Sequence, residues 1–236
     1  MQSRLGASLF APRLAGGTRV LGIFEHTLPD SSTDLLVFDT NFLYKFNTST
    51  GNFDQVPFGG SLAPLGNEYA GFDIVSKDGY ISGVSYPTKD NTERFVFTGE
   101  GINPLFPDLA PIGSTIFFYD GTDVKLFTNA ADNLDFADYI GGNLTSSTYV
   151  TYFKERLNFI IPIIAGTSFE QGILYSGVRD SSGKGDQFDV VGSGLLQADT
   201  YESITGQTIL GQVLILNFSR STWTLEKTTD TFNPYF

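Results

Sequence analysis

The residues of this chain that could carry out chemistry are few, and a single histidine limits them most. His26 is the only histidine and cysteine is absent, so thiol nucleophiles, disulfides and histidine- or cysteine-rich metal sites are excluded. A Ser-His-Asp triad would have to use His26, and Gly192-Ser193-Gly194 lacks the spacing of a nucleophile turn. His26 precedes a loop-like segment, and we interpret it as a surface or turn residue. The sequence therefore predicts no catalytic residue and no enzymatic activity.

Two polar segments are weak candidates for ligand sites. Ser182-Gly183-Lys184-Gly185 lacks the glycine and the hydroxyl residue that a phosphate-binding loop needs, and Asp180 and Asp186 flank it, so it predicts a solvent loop. The densest acidic run can be interpreted as solvated turns or as a calcium clip between loops, and the absence of EF-hand spacing favours turns. This run comprises Asp120, Asp123, Asp132, Asp135 and Asp138. The sequence predicts neither a cofactor nor a metal.

Carboxylate pairs for glycoside hydrolysis are not singled out by the sequence. The chain has 26 acidic residues, so pairs at a hydrolytic separation arise by chance. Two carboxylates in a central pocket lined by Tyr or Trp would be needed to favour a glycosidase. A glycan-binding module or glycosidase stays open as the alternative function.

Composition favours a single all-β domain over residues 1–236. Phe occurs 22 times, Tyr 11 times and Gly 26 times, and aromatic residues favour strands while glycine marks turns. The net charge of −12 opposes binding to a phosphate backbone, so specific nucleic-acid binding is not expected. No apolar stretch is long enough to span a membrane.

Three segments near 34–58, 116–140 and 212–236 look alike. Each contains a strand, a tight turn, a second strand, a longer turn and an aromatic-rich piece. These units predict β-propeller-like blades of short antiparallel strands, with a β-sandwich as the alternative. Because two or three blades cannot close a propeller, we expect the chain to belong to a longer or multi-chain propeller. Further strands are predicted at 69–75, 79–84, 94–98, 148–153, 156–164 and 171–176.

Several pieces, in this order, resemble the tail nozzle and tail hub proteins of tailed bacteriophages. They are 93–99, the Tyr119-Asp120-Gly121 hairpin turn, 152–159, 173–176, and the run from 204 to 225. The order and spacing match over roughly 90–236, and residues 18–58 resemble an opening blade. Such proteins are usually much longer than this chain.

The resemblance implies a structural role in the phage virion, in a tail assembled in the host cytoplasm. Members of the family form homo-oligomeric rings, commonly sixfold, which contact portal, adaptor and other tail proteins and surround the channel through which DNA leaves. An acidic lumen would offer DNA few adhesive contacts. The predicted interface anchors are Trp223, Tyr235 and Phe236, because buried aromatics dominate contact energies. A virion or host-surface adhesin that binds through its loops stays open as a third function.

Overall fold

The computed structural model describes most of the chain, and its regular structure is β-strand apart from two short 3-10 turns. The described residues are 14, 19–28, 30–63, 72–74, 79–88, 92–99, 102–104, 115–179 and 184–226. Four antiparallel sheets and one small two-stranded pair form within these ranges. The predicted all-β class is confirmed. Over the same ranges, no helix has the length and apolar character needed to cross a bilayer.

The first sheet is a four-stranded antiparallel meander. Its strands are β1 (Val20–Thr27), β2 (Thr33–Asp39), β3 (Leu43–Asn47) and β4 (Asn52–Gln55). Asp39 makes the β2–β3 turn, because its Oδ1 accepts hydrogen bonds from the two backbone amides at 41 and 42, at 2.7 and 2.8 Å. This sheet carries the predicted unit 34–58, with β1 added before it.

The second sheet is a four-stranded meander interrupted by a small excursion. Its strands are β6 (Ile81–Pro87), β7 (Glu93–Gly99), β9 (Phe117–Tyr119) and β10 (Val124–Leu126). The excursion contains β8 (Ile102–Pro104). This strand pairs with β5 (Phe72–Ile74) as a separate two-stranded sheet. The predicted unit 116–140 supplies only β9 and β10, and the strands beside them come from earlier in the chain.

The third sheet contains the longest strands. They are β11 (Leu144–Phe153), β12 (Arg156–Ile164), β14 (Gly172–Tyr175) and β15 (Gly194–Gln197), while the short β13 pairs only with β12. Strand β13 spans Thr167–Ser168. The predicted strand at 156–164 matches β12.

The fourth sheet has three described strands. They are β16 (Ile204–Leu210), β17 (Val213–Phe218) and β18 (Thr222–Glu226), in that order. The predicted unit 212–236 supplies β17 and β18, and its part from 227 onwards lies outside the described residues.

The four sheets stack in chain order, and an aromatic-rich core fills each space between neighbours. Phe95 and Phe97 of β7 enter the core shared with the first sheet, whereas Val96 between them enters the core shared with the third sheet. On the other side of the third sheet, Ile160 and Ile173 pack against the fourth sheet. Side chains alternate in direction along a strand, so a strand in an inner sheet buries both faces. This is why the centre of β7 (95–97) and the whole of β9 are continuous apolar runs.

Candidate functional site

A polar cleft of about 510 Å³ opens at one end of the first sheet. One wall is made by β2, β3 and β4, and the other by the turn between β9 and β10 of the second sheet. Tyr119, Gly121 and Thr122 of this turn region line the cleft. Asp120 holds this turn closed, since its Oδ1 accepts hydrogen bonds from the backbone amides at 122 and 123, both at 3.0 Å.

An ion pair forms the floor of the cleft. Lys45 Nζ lies 2.8 Å from Asp34 Oδ2, and the Asp34 side chain is only 9% exposed while that of Lys45 is 36% exposed. The Tyr119 hydroxyl lies 2.7 Å from the Gly121 carbonyl oxygen and 3.4 Å from Asp34 Oδ2. Burial, together with the charge of Asp34, raises the pKa of Tyr119 far above its usual value. The tyrosine is therefore a neutral hydroxyl at any physiological pH.

His26 lies behind this floor, and the prediction of a surface or turn position is wrong. The residue is fully buried in β1, and its Nδ1 lies 2.8 Å from Ser85 Oγ. Its ring packs edge-on to the rings of Phe95 and Tyr119, with centroids 6.0 and 5.8 Å apart. Strand β1 extends further than the loop-like sequence after His26 suggested, so the histidine occupies a core-facing position.

The His26–Ser85 contact does not make a nucleophile. The other ring nitrogen, Nε2, has no hydrogen-bond partner, although Asp34 sits opposite His26 on the neighbouring strand. A triad needs a carboxylate bonded to the ring nitrogen that does not face the serine. The geometry therefore supports a structural role for His26.

The His26 ring should make the protein less stable in mild acid. Burial lowers the pKa of His26, Asp34 opposes this and Lys45 adds to it. Because the folded-state pKa lies below the unfolded value, the contribution of His26 is complete above pH 6.5 and is lost as pH falls through the folded pKa. We expect the free energy of unfolding of the native chain to fall more between pH 7.5 and 5 than that of His26→Phe. Urea titrations at several pH values measure this difference, with about 1.4 kcal/mol for each unit of pKa lowering.

A direct check is the ring resonance of the only histidine, which needs no assignment. Its NMR midpoint should lie below 6.5. A midpoint at or above 6.5, or identical pH profiles for both proteins, would show that the ring is hydrated rather than buried.

Three of the five carboxylates in the acidic run accept hydrogen bonds that hold loops and turns in place. Asp132 accepts from the backbone amide and the hydroxyl of Ser61, and Asp138 accepts from the amides of Tyr139 and Leu144 at 2.9 and 2.8 Å. Asp120 pairs with Lys125 at 2.5 Å. Within the described ranges, no three His, Asp or Glu side chains are grouped so that they could hold a metal ion. The carboxylate oxygens of Asp120, Asp132 and Asp138 therefore fix loops and turns.

A largely buried ion pair between β7 and the 3-10 turn Lys184–Asp186, in the connection between β14 and β15, was missed by sequence reasoning. Arg94 Nη1 lies 3.1 Å from Asp186 Oδ2 and 2.9 Å from Asn133 Oδ1, and the guanidinium lies 4.7 Å from the ring centroid of Phe118. Asp186 is only 3% exposed, and burial raises its pKa although Arg94 opposes this. The segment around Asp186 was predicted to be a solvent loop, and for this residue the prediction is wrong.

Of the predicted interface anchors, only Trp223 falls within the described residues. It lies on β18 and is 41% exposed, and its Nε1 lies 3.3 Å from Ser221 Oγ. Beside it, a narrow apolar groove of about 120 Å³ runs between the third and fourth sheets, with Ile173, Leu196 and Leu225 among its walls. Tyr235 and Phe236 lie outside the described residues.

Comparisons with known protein families, with curated proteins and with solved structures found no match to this chain.

Proposed function

We propose that this chain is a structural subunit of a bacteriophage tail, with its four sheets serving as propeller-like blades in the wall of a nozzle or hub. Identical subunits would form a ring, with six as the expected number, that contacts portal, adaptor and other tail proteins. The channel of this ring would let DNA pass without gripping it. Its place would be the virion tail, assembled in the host cytoplasm.

The observation that carries this proposal is the regular stacking of the sheets. Sheets of antiparallel strands follow one another in chain order, and each packs face to face on the next through its own core. A β-sandwich has a single core between two sheets, whereas three such cores separate the sheets described here. Packing of successive antiparallel sheets on one another is what the blades of a propeller require.

The positions of the family-like pieces also support the proposal. The piece at 93–99 is strand β7, the Tyr119-Asp120-Gly121 piece is the β9–β10 turn, and the piece at 173–176 covers most of β14. The piece at 152–159 forms the hairpin between β11 and β12. Each of these pieces therefore lies on a strand or a turn, as the resemblance implies.

The charge of the chain agrees with a channel wall. A net charge of −12 repels the phosphate backbone, and repulsion keeps DNA mobile in a pore. The glycosidase alternative is less well supported, because Asp34 and Asp54 both line the cleft but Lys45 ion-pairs with Asp34 on its floor. A carboxylate neutralised by lysine is poorly suited to donate a proton to a leaving sugar.

Trp223 is the described residue that we expect to anchor the ring. Its large exposed indole adjoins an apolar groove, and a residue of this type gains most from burial at an interface. The native mass of the purified chain, measured by light scattering and native mass spectrometry, should correspond to a discrete oligomer. Trp223→Ala should shift that distribution towards monomers, with a dissociation constant raised about 30-fold or more for a loss of about 2 kcal/mol.

The matched control is Tyr201→Ala, which removes another exposed aromatic ring on the loop before β16. This variant should assemble like the native chain. A native chain that is a well-behaved monomer at high concentration, together with a lack of co-purifying tail proteins, would overturn the proposed function. Equal assembly of the native chain and Trp223→Ala would remove Trp223 from the interface.

A further inference from the structure

We infer that the polar cleft at the end of the first sheet is a binding site for a neutral saccharide. This inference is independent of the ring, because the cleft residues lie on β2 to β4 and on the β9–β10 turn, whereas Trp223 lies on the fourth sheet. A tail protein with such a site would contact a hydroxyl-rich surface polymer of its host.

The size and position of the cleft suit a small sugar. Its volume of about 510 Å³ falls in the range of small-ligand pockets. Most of its wall belongs to strands, which hold side chains more precisely than loops do. The floor is held in place by the Lys45–Asp34 ion pair, so the polar groups are positioned before a ligand arrives.

The chemistry of the wall selects for hydroxyl groups. Neutral hydrogen-bonding side chains form the largest group in the lining, with Ser32, Thr33, Asn47, Thr48, Gln55 and Thr122 contributing hydroxyls and amides. Sugar hydroxyls both donate and accept, so they can satisfy such a mixed wall. Phe46 and Pro57 add apolar surface to the same wall, against which the C–H face of a sugar ring can pack.

The charges in the cleft exclude anionic ligands. Lys45 is matched by Asp34, and Asp54 adds a second negative charge, held at 2.7 Å from Asn47 Nδ2. A phosphorylated or sulfated sugar would meet net negative potential, so we expect neutral sugars to bind and their phosphates to be rejected. Carboxylates that accept hydrogen bonds from sugar hydroxyls make the stronger, charge-assisted kind of bond.

Saturation-transfer NMR on the full chain tests the site. The probes are glucose, galactose, rhamnose and N-acetylglucosamine, with glucose 6-phosphate as the anionic comparison. We expect at least one neutral sugar to receive saturation and glucose 6-phosphate to receive none. Asn47→Ala, at a half-buried position on the rim, should weaken binding of that sugar about tenfold or more, because its amide orders Asp54.

Asn217→Ala is the matched control, because it removes an exposed asparagine side chain on β17 of the fourth sheet, outside the cleft wall; it should bind the sugar normally. Circular dichroism of each variant checks that the fold is kept. The inference is overturned if no neutral sugar receives saturation, if glucose 6-phosphate binds as well as glucose, or if Asn47→Ala binds as the native chain does. Native mass is measured on the same samples, so a missing sugar site and a missing ring are separate results.

Discussion

Replacing Arg94 by methionine should lower the free energy of unfolding by about 3–5 kcal/mol, which is the usual cost of breaking a buried ion pair by removing one partner. Methionine keeps a side chain of similar length but removes the guanidinium that lies over the Phe118 ring, so the loss comes from the charge, the hydrogen bonds and this ring contact. Asp186 would then keep a buried carboxylate without its cation, and its Oδ1 already lacks a hydrogen-bond partner. Urea unfolding at pH 7 measures the effect.

The double variant Arg94→Met/Asp186→Asn separates the ion pair from simple packing. With the carboxylate made neutral, the double variant should be more stable than Arg94→Met alone, and the coupling is read from a double-mutant cycle. Equal stability of the two variants would contradict the prediction.

The pH dependence of Arg94→Met has a definite sign. Burial already raises the pKa of Asp186 above its usual value, and removing the arginine raises it further. A raised folded-state pKa contributes stability that is complete below the unfolded value and is lost as pH rises through the folded value. The free energy of unfolding of Arg94→Met should therefore lie furthest below that of the double variant at neutral pH. The two values should converge in acid. A gap that widens in acid would contradict this reasoning.

The strands could be predicted from the sequence because their local signals are strong. The predicted segment at 156–164 matches β12, and the one at 94–98 lies inside β7. What could not be predicted is how strands combine into sheets. The predicted unit 116–140 grouped β9 and β10 with the residues that follow them, but β9 pairs with β7. No local sequence pattern marks the excursion that separates β7 from β9.

The polar residues of the core were harder to foresee than the apolar ones. His26, Arg94 and Asp186 were assigned by residue type to surfaces or loops, or not assigned at all, because polar residues are mostly exposed. Their burial depends on partners far along the chain, such as Ser85 for His26 and Asp186 for Arg94. One signal was available for Arg94, which lies inside a strand and is followed by three consecutive apolar residues.

The cleft could not be derived from the sequence either. Asp34 and Lys45 lie on neighbouring strands, and a hairpin register could have suggested that they meet. Tyr119 reaches them only because the second sheet packs on the first. A site that depends on the packing of two sheets has no sequence signature of its own.

Phe97→Ala should be the most damaging apolar truncation in the stack, with a loss of about 3–5 kcal/mol. The side chain is fully buried in the central strand β7. Its ring centroid lies 4.7 Å from that of Phe38 in the first sheet and 5.5 Å from that of Phe117. Alanine would leave a cavity between two sheets that neither sheet can close alone. The control Tyr201→Ala removes a fully exposed ring and should change the free energy of unfolding by less than about 0.5 kcal/mol.

The same variant shows whether the stacked sheets unfold as one unit. The only tryptophan, Trp223, lies in the fourth sheet, so its fluorescence reports on the end of the stack remote from Phe97. Neighbouring sheets share buried cores throughout, and shared cores couple the stability of adjacent units. We therefore expect the fluorescence and circular dichroism transitions of Phe97→Ala to coincide, and both midpoints to lie at lower urea concentrations than in the native chain. A fluorescence transition that stays at its native midpoint while the circular dichroism transition moves would mean that the fourth sheet folds independently, and the coupling through the third sheet would then be too weak to join the stack.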